Sequence, residues 1–207
     1  MVHHNRWSEN KKIDAEAVRA TWLKRVARIR RAGAPVDYIM EKSPPNMMRH
    51  RLIAGLFSEC RLVCNTRNPY ANVASMAFRY TDYAEQDESG RREICERIAR
   101  KWVRCAGKIR QIVQEEGCPL LTYEQFCEEP QAIFRAFGFD HAVLSRVSTE
   151  RAVKVKDHAV QTITNMNQRQ IARLDDASIE AVRAVIAPHG DLLDFFGYAE
   201  DPARAQA

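Results

Sequence analysis

The sequence predicts an α/β protein, a parallel sheet with helices on its faces. Two observations carry that reading. Three β-prone runs, VDYIM (36–40), RLVCNT (61–66) and CPLLTY (118–123), are each followed by a helical pattern. Hydrophobic residues make up 45% of the 207, enough for a real core and suited to one domain over 1–207.

The elements follow in order. In 14–31, apolar Ala17, Val18, Trp22, Leu23, Val26 and Ile29 recur at helical spacing, with Asp14 as N-cap and Gly33 and Pro35 as the stop. The first strand, 36–40, runs into Ser43-Pro44-Pro45, which cannot continue a ladder because proline lacks the donor. A helix is expected over 47–57. The second strand, 61–66, meets Arg67-Asn68-Pro69, and a helix follows over 70–80. A polar stretch (82–92), a loop with a helix start, leads to a long amphipathic helix over 94–114, carrying Ile98, Trp102, Ile109 and Val113 and capped by Gly117. The third strand, 118–123, precedes a helical stretch over 124–139 broken at Pro130. Residues 140–166 carry no clear pattern. A late helix over 176–187, an apolar closing segment (191–198) and a frayed 199–207 complete the chain.

Charge and cysteine usage narrow the classes. Net charge is +5, mildly basic, which fits an anionic small ligand; nucleic acid is not the expected partner. The six cysteines (60, 64, 95, 105, 118 and 127) contain no CxxC and no zinc spacing, so no metal site is expected. They read as small hydrophobes of a reduced cytoplasm. The opening MVHHNRWSENKKIDAE has no apolar stretch of a secretory leader. No run approaches the roughly 18 apolar residues of a membrane span.

Ligands of open α/β sheets sit at the carboxyl ends of strands. Those ends here carry Glu41-Lys42-Ser43, Thr66-Arg67-Asn68 and Thr122-Tyr123-Glu124. Arg67 offers a planar fork matched to two phosphate oxygens, and Ser75 stands about two turns inside the next helix. Together they suit one phosphate with an aromatic base attached. The alternative is a solvated strand-end arginine, a small serine facing the sheet, a solvated Lys42 and a packing Tyr123.

In sequence order these stretches resemble the sulfotransferase family, enzymes that use 3′-phosphoadenosine 5′-phosphosulfate (PAPS). RNPYANVAS, with Ser75 eight residues after Arg67, resembles the family's 3′-phosphate motif. LLTYEQFCEEP is similar to its Tyr-Glu-Asp/Asn-Leu segment, EKSPPN to its Lys-Ser/Thr-Pro segment, and FGY to its closing Gly-Tyr. The resemblance implies a P-loop kinase-like fold and sulfuryl transfer from PAPS to a hydroxyl or amine of a saccharide or small molecule. It implies that Arg67 and Ser75 hold the 3′-phosphate, that Tyr123 contacts adenine, and that Lys42 neutralises the leaving phosphate.

The family's first strand and its Gly-Thr-Thr-type loop, which cradles the 5′-phosphosulfate, have no counterpart before Val36. None of the eight glycines is followed by Thr or Ser. The expectation is an N-terminally incomplete domain, through truncation or a misplaced start. The catalytic base stays open among His3, His4, Glu9 and Glu16, while Lys154, Lys156 and His158 are candidates for a basic lip over the nucleotide. A non-catalytic relative that keeps the nucleotide site, or serves as a partner subunit, is the alternative. A nucleotide kinase-like protein is a weaker one.

Overall fold

The computed structural model describes residues 14–33, 35–140, 143 and 162–199. They fall into two compact units, residues 1–62 and 63–207.

In the N-terminal unit, α1 spans Ala15–Arg31. The Asp14 carboxylate caps it by accepting from the Ala17 N–H at 2.9 Å, and Gly33 leaves it with φ 83°. None of its residues is buried, and Leu23 and Ile29 are exposed; the Trp22 and Phe57 rings stack at 5.4 Å between centroids. The expected helix over 47–57 is shorter and begins earlier. A 3₁₀ segment, Pro44–Arg49, leads into α2, His50–Ala54, which stops at Gly55. Pro44 and Pro45 preset the first turn, where an absent N–H costs nothing.

The expected first strand is not one. Residues 35–43 have no regular structure. Tyr38, Ile39 and Met40 are exposed, and no described strand lies beside them. A β-prone run cannot form a ladder without a neighbour, whatever its composition.

The C-terminal unit has the α/β character. β1 (Cys64–Thr66) and β2 (Leu120–Thr122) form a parallel pair with Cys64 opposite Leu120 and Thr66 opposite Thr122. Between them run α3 (Pro69–Tyr80) and α4 (Glu88–Glu116). The described sheet thus has two parallel strands flanked by helices, each strand half the length that its sequence run suggests.

α4 is the spine. Ile94, Ile98, Trp102, Ile109 and Ile112 recur at three and four, and all are buried. Gly117 ends it in the left-handed conformation (φ 60°), and its N–H returns to the Val113 carbonyl. α3 packs against α4, and small residues of both, Ala71, Ala74 and Ala77 on one and Ala99 and Ala106 on the other, are buried. Tyr70 and Val73 add fully buried side chains worth about 1.5–3 kcal/mol each.

After β2 come α5 (Tyr123–Glu128) and α6 (Ala132–Ala136), split at Pro130 as its missing N–H requires. Then follow α7 (Asn167–Ile171), α8 (Asp176–Ile186) and α9 (Gly190–Phe196). α7 packs on α3, while α8 and α9 pack on α4. All six cysteines are free thiols; Cys95 is fully buried and Cys60 exposed. Among the described residues no helix is long and apolar enough to cross a membrane.

Candidate functional site

The parallel register sets the site. Because Thr66 and Thr122 are partners, the residues after each strand emerge side by side. Asn68 caps α3, its Oδ1 accepting from the Ala71 N–H at 3.1 Å, with Pro69 at the first helical position. Thr122 caps α5 through a reciprocal box with Gln125. Arg67 and Tyr123 are thereby fixed as adjacent strand-end residues.

Arg67 is half-buried. Its guanidinium carbon lies 4.1 Å from the centre of the Tyr123 ring. Nε donates to Asn167 Oδ1 at 2.8 Å, and the Arg67 carbonyl accepts from the Trp102 indole at 2.9 Å. Nη2 is buried and has no hydrogen-bond partner among the described residues. Burial pulls the guanidinium below its ordinary pKa, opposed by Tyr123 and Glu124. It nonetheless remains a cation at any physiological pH.

Glu124 is the countercharge, and it is fully engaged. Oε1 accepts from the Asn68 N–H at 3.0 Å and from Asn167 Nδ2 at 2.5 Å. Oε2 accepts from the Tyr198 hydroxyl at 3.0 Å. Burial, then the Glu124 charge, pushes the Tyr198 hydroxyl well above the ordinary phenol range. The Tyr123 hydroxyl donates to the Thr164 carbonyl at 3.0 Å and accepts from the Met166 N–H at 3.2 Å, tying α5 to the start of α7. Burial raises its pKa too.

The structure brings Arg67 and Tyr123 together. Ser75 lies half-buried in the middle of α3, with no side-chain hydrogen bond among the described residues. Lys42 lies exposed in the N-terminal unit, in its irregular 35–43 segment. Glu16 is exposed beside Arg19, at 4.0 Å. His3, His4, Glu9, Lys154, Lys156 and His158 lie outside the described residues. Among the described residues no cluster of His, Cys, Asp or Glu could hold a metal. Sequence reasoning missed two members of the network, Asn167 and Trp102. Trp102 reads only as an apolar helix position. Asn165-x-Asn167 carries a weak local signal, since Asn165 Oδ1 accepts from the Asn167 N–H as a turn-forming asparagine does.

A buried, half-satisfied arginine beside an aromatic ring at the end of a parallel pair can hold an anion. Comparison with known proteins gives that arrangement a family. The model of the sulfotransferase family matches residues 3–137, well over half of the chain. The chain belongs to the sulfotransferase family. No curated protein and no solved structure matches it. Within the stretch matched to the sulfotransferase family lie Lys42, Arg67, Ser75, Tyr123 and Glu124; Asn167, Gln170 and Tyr198 lie beyond it.

Proposed function

We propose that this sulfotransferase-family chain uses PAPS as donor and passes its sulfuryl group to a hydroxyl or amine acceptor. The observation that carries the reading is the buried Arg67 Nη2, without a partner among the described residues. A buried donor left unmade costs about 1–3 kcal/mol, so a ligand oxygen placed there recovers that cost. In this reading Arg67 and Ser75 hold the 3′-phosphate. Tyr123 backs the guanidinium on one face and leaves its other face to the adenine. Lys42 supplies positive charge to the leaving phosphate, and PAPS itself supplies the activated sulfuryl group.

A second reading is supported by one observation. Arg67, Ser75, Tyr123 and their network all belong to the C-terminal unit, whereas Lys42 belongs to the other. A chain that binds 3′-phosphoadenosine nucleotides without transferring sulfate is compatible with that division.

Calorimetric titration of the 207-residue chain with adenosine 3′,5′-bisphosphate tests the shared core of both readings. Arg67→Ala should weaken binding roughly tenfold to a hundredfold, the worth of one charge-assisted contact. A folded wild-type chain that does not bind would end both. Binding without transfer from PAPS to any hydroxyl or amine acceptor would leave only the second.

A further inference from the structure

Three buried side-chain polar atoms of the C-terminal unit have no hydrogen-bond partner among the described residues: Arg67 Nη2, Gln170 Oε1 and Arg91 Nε. The last has its charge partner, an Asp175 carboxylate oxygen at 3.0 Å. The other two share one small region. Gln170 is three residues after Asn167 on α7, so the two side chains rise from the same face with Cβ atoms about 5–6 Å apart. Asn167 is the residue that grips Arg67.

The placement of Gln170 along α3 follows from two anchors. At the start of α7, Asn167 is bonded to Arg67, just before α3 begins. Just past its end, the Arg173 guanidinium lies 3.6 Å over the Phe78 ring, in the last turn of α3. α7 therefore runs alongside α3 in the same direction, and Gln170 falls against its middle. That stretch carries Ser75, whose hydroxyl also has no hydrogen bond among the described residues.

The three groups differ in what they require. Arg67 Nη2 donates, and the serine hydroxyl can donate; both suit a phosphate. An amide oxygen cannot serve a phosphate, because a phosphate dianion has only acceptors to offer. With its amide turned as it is here, Gln170 Oε1 requires a donor on the ligand, near the anionic group. A hydroxyl on the carbon next to the phosphate-bearing carbon meets that requirement.

We propose that Gln170 accepts a hydrogen bond from the ribose 2′-hydroxyl adjacent to the 3′-phosphate held by Arg67 and Ser75. Gln170 is then a specificity-determining residue, selecting a 3′-phosphorylated ribonucleotide over its 2′-deoxy counterpart. The assignment rests on the nucleotide reading of the Arg67 site and adds the sugar to it. A site built to bond a hydroxyl rejects the analogue that lacks it, because its own polar group is then left unpaired.

The test is a calorimetric cycle with the full chain. Adenosine 3′,5′-bisphosphate and 2′-deoxyadenosine 3′,5′-bisphosphate are titrated into wild type, Gln170→Ala and the near-isosteric Gln170→Met, with thermal melts alongside. Wild type should prefer the ribose form by roughly tenfold to thirtyfold, and both variants should bind the two ligands equally. Equal affinities in wild type overturn the proposal. So does a variant that weakens both ligands alike and keeps their ratio, which would make Gln170 a mere support for Arg67. Wild type binding neither ligand overturns the nucleotide reading itself, an outcome distinct from lost discrimination. The wild-type comparison stands even where a variant fails to fold.

Discussion

Asn167→Asp exchanges one nitrogen for oxygen and keeps the shape of the side chain. It converts a neutral link into a charge with two neighbours of opposite sign. The new carboxylate meets Arg67 Nε across the present 2.8 Å contact and Glu124 Oε1 across the present 2.5 Å contact. With charge centres ~4 Å apart and an effective dielectric constant of ~20, each of these interactions is worth about 4 kcal/mol, with opposite signs. They nearly cancel, so the variant should melt within a few degrees of wild type. The anion enjoys no such cancellation. A phosphate on the Nη2 edge would stand roughly 7 Å from the new charge, a cost of about 2–4 kcal/mol for its one to two negative charges after screening. Affinity for adenosine 3′,5′-bisphosphate at pH 8 should fall thirtyfold to roughly a thousandfold. Calorimetry at pH 8, referred to wild type at the same pH, reads the loss. A folded variant that binds like wild type at pH 8 would refute the role assigned to Arg67.

Two further changes probe the frame around the site. Tyr198→Phe removes the hydroxyl that donates to the Glu124 carboxylate and keeps the ring that packs near Trp102 and Phe196, so thermal melts should show a loss of about 1.5–3 kcal/mol at pH 7. Because burial raises the folded-state pKa of Tyr198, its contribution is complete below the unfolded value near 10 and lost as pH rises above it; the gap between wild type and variant should narrow there. Gly117→Ala should cost about 1 kcal/mol in chemical denaturation, since among the described residues no atom beyond its two chain neighbours lies within 4 Å of the added Cβ, and only the left-handed backbone (φ 60°) resists it. A larger loss would mean that the cap is packed more tightly than the structure has it.

What the sequence makes legible here is local. RLVCNT and CPLLTY announce their strands because apolar runs end in turn residues, although only Cys64–Thr66 and Leu120–Thr122 form the ladder. VDYIM is likewise a β-prone run and forms none, because pairing depends on a neighbour that composition does not report. α4 is readable from Ile94 onward, where its spacing matches one buried stripe; its polar first turns, from Glu88, carry no such stripe. Arg67 and Tyr123 stand out by position: each lies at the carboxyl end of a β-prone run, just after Thr66 and Thr122. Asn167 is silent because its meaning lies 100 residues away, in a hydrogen bond to Arg67 that no window of sequence contains. Tyr198 is visible as part of a closing Gly-Tyr, but its partner, Glu124, is 74 residues off.

The arrangement around Glu124 explains how an arginine can lie near a carboxylate and still have a free edge. A direct pairing would be bidentate, with two parallel N–H···O bonds that occupy one side of the fork and cancel its charge for any ligand. The two ions are instead separated by the Asn167 amide, which accepts from Arg67 with its oxygen and donates to Glu124 with its nitrogen. Both carboxylate oxygens are already taken, by the Asn68 N–H and Asn167 on one side and Tyr198 on the other. Glu124 therefore has little left to offer the guanidinium at close range, yet it stays near enough to offset the cost of burying a cation. The same amide holds Nε in place, so Arg67 is fixed at one edge and open at the other. That division of labour depends on Asn167 being neutral and two-faced. Leucine would lose both bonds, aspartate would turn the link into a repulsion, and only glutamine offers the same pair of groups, one methylene too long for the present distances.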